Sequence, residues 1–408
     1  MKIVFYNHTG KVSGAERMLL SVLAQLQGGP VDRVLLCPDV GPLAAMAAET
    51  GVRVITVNDL EARFTWRLDR LLRYGQSFSQ VMSDLRRRIV ALNPDLIHAN
   101  SIRAGLVATV ATAGLGTKVV WHLHDLLPRH PLSGPIRMVA ALSKRTLMIA
   151  VSDAVRINFC GRWSRVLKDR VTVILNAIEA KHFSPPAVER DTSRTNLSLR
   201  KEDFAIGIVG QLTPRKGQLE LLLAFPQLLQ SVPQAVLLIV GGAIFNRDSE
   251  YEQLLRDTAQ KLGISDHVRM LGNRADIREI VPALDLLVIN SRREPFGLVA
   301  CEAMAGGTPV LATARDGLTE IISNQKNGWL VPFGDQKELI DAITFLQQHP
   351  DVRRKLAASA RDDVARRFSM ERYMNELHSF YQKVISDSLT GDLRASVSGK
   401  DHKASFAQ

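Results

Sequence analysis

Short runs of Val, Ile and Leu alternate along the chain with longer stretches whose apolar residues recur at helical spacing, which is how a parallel sheet with crossover helices reads. Ile3 to Tyr6 predicts a strand, His8 to Ser13 a loop, and Ala15 to Gln27 a helix whose Met18, Leu19, Val22, Leu23 and Leu26 share one face. Further strands are expected at Arg33 to Cys37, Arg53 to Val57, Leu96 to His98, Lys118 to Leu123, Thr146 to Val151 and Val171 to Ile174. Then the texture changes. Ser184-Pro185-Pro186 and the polar stretch through Asp191, Arg194 and Asn196 have linker composition. A second cycle starts with Phe204 to Val209 and continues through Val236 to Val240, Val268 to Leu271, Leu286 to Ile289, Pro309 to Ala312 and Trp329 to Val331.

The expected class is therefore α/β, with two doubly wound Rossmann-like domains facing a cleft. The boundaries read as an N-terminal domain over residues 1–183, a linker over 184–203, a C-terminal domain over 204–367, and a helix over 368–388 that crosses back to the first domain. Residues 389–408 are rich in Ser, Gly and Lys and are expected to be a disordered tail. Open α/β sheets bind ligands at the carboxyl ends of their strands, which makes the cleft the expected active site.

Composition removes several classes. With 408 residues, 46% hydrophobic and 23% charged, the chain is long enough for two real cores and is neither disordered, collagen-like nor disulfide-framed. The longest low-polarity stretch, Ala104 to Gly116, falls short of the roughly 20 residues of a spanning helix. A strand starting at Ile3 leaves no room for a signal peptide, so a cytoplasmic protein is expected. Cys37, Cys160 and Cys301 sit in apolar contexts without CxxC spacing and read as buried small hydrophobes. Neither domain carries GxGxxG after its first strand, which counts against a nicotinamide or flavin dehydrogenase. The charge is lopsided: residues 1–185 hold 24 Lys+Arg against 13 Asp+Glu, and residues 186–408 hold 28 against 28. Such asymmetry suits nucleic acid, an anionic membrane or a polyanionic substrate without choosing among them.

The richest chemistry lies in Ser291 to Pro309, directly after the strand ending at Ile289. Pro295 and Gly297 shape a turn, and a helix is expected from about Phe296 to Ala305. Free amides at its start, with the helix dipole behind them, suit a diphosphate. Glu302 would lie about 9 Å further along the axis, placed for ribose hydroxyls, and Glu294 would reach the group attached to the phosphates. The plainer reading makes Glu302 a solvated helix carboxylate and Glu294 a charge complementing the dipole.

Glu294 and Glu302 form an E-x7-E pair, and Glu294 to Val310 resembles the donor-site signature of the GT4-type retaining glycosyltransferases of the GT-B fold. The resemblance continues through Asp95-Leu96-Ile97-His98, Trp121-His122-Leu123-His124-Asp125, Asn176-Ala177-Ile178, Gly210 to Gly217, Leu271-Gly272, Gly317 to Glu320 and Phe368-Ser369. It implies a sugar nucleotide, UDP- or GDP-linked, with no other cofactor. It assigns Glu302 to the ribose, the amides of Phe296, Gly297, Leu298 and Val299 to the phosphates, Glu294 to sugar hydroxyls and Lys216 to the diphosphate. Asn273 and Arg274 join the donor site, and Gly14 lies in the Gly10 to Glu16 loop that closes over donor phosphates. The family often has Arg after the first Gly of the Lys216 loop, where this chain has Gln211; Arg215 offers a second cation. His122 and His124 share one strand face, and His124, nearer the carboxyl end, is assigned to the anomeric region, with Asp125 orienting it.

The implied reaction moves a sugar onto an acceptor hydroxyl with retention, through front-face displacement because no first-domain carboxylate is an obvious nucleophile, and without a metal because no DxD-like pair is evident and Lys216 with the helix start can replace the cation. The acceptor is expected to be a saccharide or lipid-linked saccharide of cell-surface polysaccharide or glycolipid synthesis. Arg63 to Tyr74, with cations and aromatics at helical spacing, Arg86-Arg87-Arg88, and Arg129 to Arg145 would hold the first domain against the anionic inner face of the cytoplasmic membrane. An ordinary helix with solvated arginines explains the first of these equally well. Rival functions are a GT-B sugar-nucleotide epimerase or phosphorylase, an inactive partner subunit, and a nucleic-acid binder, for which no recognition motif is present.

Overall fold

The computed structural model describes residues 1–60, 68–183, 187–242 and 246–398. The chain divides into two compact units, one of Met1–Leu175 together with the residues from Tyr373 onward, the other Asn176–Arg372.

In the first unit, β1 (Lys2–Tyr6), β2 (Asp32–Cys37), β3 (Arg53–Thr56), β4 (Leu96–Ala99), β5 (Lys118–Leu123), β6 (Thr146–Ala150) and β7 (Val171–Val173) form one sheet in the order β3-β2-β1-β4-β5-β6-β7. Every adjacent pair is parallel. In the second unit, β8 (Phe204–Val209), β9 (Ala235–Val240), β10 (Val268–Gly272), β11 (Leu286–Ile289), β12 (Val310–Thr313) and β13 (Trp329–Val331) form a six-stranded sheet in the order β10-β9-β8-β11-β12-β13. It too is parallel throughout. Among the described residues, all thirteen strands fall where the apolar runs place them. Helices covering both faces of a parallel sheet leave its strands buried on both sides, so they read as unbroken hydrophobic segments. Strand order reverses between β1 and β4 in one sheet and between β8 and β11 in the other, and the crevice at such a switch point is where doubly wound sheets hold ligands.

Packing is tight enough for single atoms to matter. A Cβ on Gly105, in the helix Ile102–Ala111, would sit 2.3 Å from the indole of Trp121. Trp121 is fully buried and donates its Nε1–H to Thr109 Oγ1 at 2.8 Å. Cys37, Cys160 and Cys301 are buried and free, as expected.

Three sequence expectations differ from the structure. The polar stretch expected as a linker contains the helix Ala187–Asn196, because Arg190 and Arg194, four residues apart, both reach Asp285 at 2.9 and 3.0 Å. The terminal helix runs Met370–Ser398, ten residues past the expected start of the tail. Of the arginine run, Arg86 Nη1 donates to the carbonyls of Ala111 and Ala113 at a helix end, and Arg88 pairs with Asp84. The amphipathic segment expected at Arg63 to Tyr74 lies largely outside the described residues: residues 61–67 are not described, and only the backbone of a helix, Leu68–Leu92, continues it.

Asp285 also accepts from the Ala205 amide at 2.8 Å. Because the Arg194 side chain is only 9% exposed, an Asp285→Ala variant leaves a buried guanidinium without its counter-charge and is expected to lose about 3 kcal/mol in denaturant unfolding.

Candidate functional site

In the second unit, two loops converge at the switch point. The loop after β8 ends in Thr213-Pro214-Arg215-Lys216-Gly217, and the loop after β11 carries Asn290 to Gly297. Gly217 has φ +73°, and a Cβ there would lie 1.9 Å from the carbonyl oxygen of Asn290. Asn290 in turn donates its Nδ2 to the Gly217 carbonyl at 3.0 Å, and the Arg292 amide donates to the Arg215 carbonyl at 2.9 Å. Only a glycine lets these backbones touch.

That contact sets Lys216 Nζ 2.6 Å from Glu294 Oε2. Ser291 Oγ donates to the same oxygen at 3.0 Å. Glu294 is buried, and burial alone would raise its pKa. The Lys216 ammonium, its hydrogen bond, the nearby Arg215 and Ser291 outweigh that, so the carboxyl is held below its ordinary range. The Glu294 backbone is fixed as well: its amide donates to Asp316 Oδ2 at 3.1 Å and its carbonyl accepts from the Gly317 amide at 3.0 Å. Asp316 also pairs with Arg293 at 3.0 Å.

Immediately beyond lies the helix Leu298–Ala305, capped by Gly297 at φ +114°. A helix leaves its first amides without internal partners, so those of Leu298 and Val299 are oriented for an anion. The helix starts two residues later than the sequence suggests, because Gly297 in the left-handed region belongs to the turn. Glu302, half-buried, therefore sits about 6 Å along the axis from Leu298 rather than 9 Å. The Phe296 ring serves the core: it is buried and packs edge-on against Phe368 at 5.8 Å.

The other expected donor residues make no hydrogen bond to the pair among the described residues. Arg215 is exposed and donates to the Arg293 carbonyl at 3.3 Å, acting on Glu294 through its charge. Asn273 and Arg274 follow β10, which is separated from β8 by β9. Arg274 is held by Asp276, Nε to Oδ1 at 2.7 Å, and bonds to neither Lys216 nor Glu294 among the described residues. Gln211 gives its carbonyl to Gln218 Nε2 at 3.0 Å.

The first unit has its own polar chain at its switch point. His124, directly after β5, bonds through Nε2 to Asn100 Oδ1 at 3.0 Å; Asn100 Nδ2 donates to Asn7 Oδ1 at 3.1 Å; Asn7 Nδ2 donates to Glu16 Oε1 at 3.3 Å. Glu16 also receives the Ser13 amide at 3.0 Å. This bond caps the helix Gly14–Gln25, whose first residue, Gly14, is exposed. Asn100 therefore orients His124, replacing the expected Asp125, which is exposed. Sequence reading missed Asn7 and Asn100, and gave Glu16 no part beyond its loop. The local signal of the two asparagines is a polar residue immediately after β1 and β4, but their pairing depends on strand order.

His122 and His124 do share a face, with ring centroids 3.8 Å apart. A second relay backs them: Tyr381 Oη to His98 Nδ1 at 2.7 Å, then His98 Nε2 to His122 Nδ1 at 3.2 Å. Burial pushes His98 down to about 3 and, with a further contribution from His98, pushes His124 to about 3. Burial, then His124 and His98, lowers His122. The three rings are neutral. If the Tyr381 hydroxyl donates, the relay leaves the proton of His122 on Nε2, a buried atom without a partner among the described residues.

These shifts make a pH prediction. Folded-state pKa values below the unfolded 6.5 mean that the unfolded chain binds more protons as pH falls from 6.5 toward 3, so stability falls in that direction. Each such histidine contributes a slope of about 1.4 kcal/mol per pH unit within its window. Urea midpoints measured between pH 7 and pH 4 are expected to drop steadily, and less steeply in a His98→Gln variant.

The family model for glycosyl transferases group 1 matches residues 189–363, and that for glycosyltransferase family 4 matches residues 12–182. D-inositol 3-phosphate glycosyltransferase of Saccharomonospora viridis is 28% identical over 311 residues, covering 72% of this chain and 70% of that protein. A UDP-Gal:alpha-D-GlcNAc-diphosphoundecaprenol alpha-1,3-galactosyltransferase of Escherichia coli is 22% identical, over 92% of this chain and 95% of its own length. Among solved structures, Anabaena HepE in complex with UDP-glucose superposes with a TM-score of 0.81 at 26% identity, covering 94% of this chain and all of that one. The two matched segments together span both units, each with its switch-point cluster, and the chain belongs to the group 1, family 4 glycosyltransferases of the GT-B fold.

Proposed function

We propose that the chain transfers a glycosyl residue from a UDP-sugar to a hydroxyl of a saccharide or lipid-linked saccharide, with retention of configuration and without a metal. The observation that carries this reading is the Lys216–Glu294 pair beside the start of the helix Leu298–Ala305. Uridine as the base is supported by HepE, solved with UDP, with UDP-glucose, and with UDP and glucose.

A diphosphate placed on the amides of Leu298 and Val299 competes with Glu294 for the Lys216 ammonium. As the bond from C1 of the sugar to the phosphate oxygen breaks, negative charge grows on that oxygen, and Lys216 with the helix start stabilises it. The oxygen then takes the proton of the acceptor hydroxyl, whose own oxygen bonds C1 on the same face. Glu294, released from Lys216 and still deprotonated, accepts hydroxyl protons of the sugar. Glu302 accepts from the ribose. Neutral His124, held by Asn100, is assigned to the sugar end.

The acceptor is proposed to be carried at an anionic membrane face, where the basic first unit would dock. No helix among the described residues is long and apolar enough to cross a membrane. The assay is UDP release from a panel of UDP-sugars with saccharide and lipid-diphosphate acceptors, with the product anomer read by NMR. Retention and activity in EDTA are expected. Epimerised donor without acceptor, or release that requires inorganic phosphate, would replace this reading with an epimerase or a phosphorylase.

A further inference from the structure

The first unit contains a cavity of 590 Å³ built from two segments, Leu127 to Arg137 and Ile157 to Trp163. It shares no residue with the clusters described above. Its lining holds Arg129, Arg137 and Arg162 with His130 and Trp163, and no carboxylate. The surrounding stretch, residues 129–170, has nine Lys+Arg against two Asp+Glu, so most of the excess charge of the whole chain lies here.

These cations are of two kinds. Arg137, Arg145 and Arg170 are engaged with backbone carbonyls at helix and strand ends: Arg137 with those of Phe159 and Asn158 at 2.6 and 3.0 Å, Arg145 with Gly116, Arg170 with Ser143. Arg129 and Arg162 are exposed and make no hydrogen bond or ion pair with any described residue. Both line the cavity together with the Arg137 guanidinium, and the lining has no carboxylate. Two exposed forks with a third held by backbone carbonyls form a phosphate site by charge and by donor type. Asn158 adds the opposite polarity. Its Oδ1 is buried without a partner among the described residues, an acceptor that a hydroxyl proton would satisfy.

The lining also holds apolar residues. Ile157 is 61% exposed, Leu132, next in sequence to the lining Ser133, is 38% exposed, and Trp163 supplies an aromatic with a polar edge, the residue type that settles at membrane interfaces. A soluble phosphate ester gains nothing from an exposed Ile and a Trp at its site, whereas a headgroup reached from an acyl layer does. We infer that this cavity binds the phosphate of an anionic phospholipid whose headgroup carries hydroxyls. The inference rests on the membrane part of the function proposed above and is independent of the transferase chemistry.

The test uses the full chain with vesicles of phosphatidylcholine alone or containing phosphatidylglycerol, read by co-sedimentation. The pocket variant is Arg129→Gln/Arg162→Gln; the control, Lys144→Gln/Lys168→Gln, removes the same charge from the same stretch outside the cavity. A tenfold or greater loss of phosphatidylglycerol binding in the pocket variant, with at most twofold loss in the control, is expected. Thermal midpoints of both should match the parent, since neither pair bonds to a described residue. Equal losses in the two variants would mean diffuse charge and would overturn the pocket. No binding by the parent chain would instead overturn the membrane reading itself. Glycerol phosphate binding that the pocket variant abolishes, without any vesicle binding, would overturn the lipid as the source.

Discussion

A Lys216→Ala variant is expected to retain its fold and lose about three orders of magnitude in sugar transfer, mostly in kcat, because removing a positioned group that stabilises developing charge costs on the order of 10²- to 10³-fold. The ammonium sits 2.6 Å from Glu294, so the substitution has a second consequence. It leaves a buried carboxylate with Ser291 as its remaining side-chain partner, and the Glu294 pKa should rise from its depressed position as burial takes over. The transfer rate of the variant should then fall with decreasing pH at a higher pH than that of the parent, if Glu294 accepts the sugar hydroxyls as proposed. Steady-state UDP release across pH 5 to 8 measures both effects. Turnover equal to the parent, with Glu294→Gln also unaltered, would remove this pair from the mechanism.

The second large effect concerns Gly217. At φ +73°, with a Cβ 1.9 Å from the Asn290 oxygen, alanine pays for the left-handed conformation and also forces two backbones apart. About 3 kcal/mol is expected, together with loss of UDP-induced stabilisation, because Lys216 is the adjacent residue. Gly114 isolates the conformational part. It has φ +79° and nothing within 4 Å of its added Cβ, so Gly114→Ala should cost only about 1 kcal/mol and leave UDP binding unchanged. Thermal unfolding with and without UDP reports both variants.

What could be read from the sequence follows the range of the interactions involved. Strands buried on both faces are locally encoded as apolar runs, so every strand was visible, and the loop ends carrying Lys216 and Glu294 followed from strand ends. The helix Ala187–Asn196 was not visible, because its stabilising partner, Asp285, lies about ninety residues away. Likewise, the His124 partner depends on β4 and β5 being neighbours, a fact about sheet order that no local window contains. Asp125, adjacent in sequence, pointed the wrong way. Charge misled in a related manner: a run such as Arg86-Arg87-Arg88 looks uniform, yet Arg86 caps a helix and Arg87 remains 79% exposed.

The Tyr381–His98 bond has a consequence for biosynthesis. Residues 98 and 122 leave the ribosome long before residue 381, yet the phenol that completes their relay belongs to a segment buried in the first unit, with Tyr373, Leu377 and Tyr381 nearly inaccessible. The N-terminal half of a nascent chain therefore lacks this partner until the entire second unit has been translated, and the first unit is completed last.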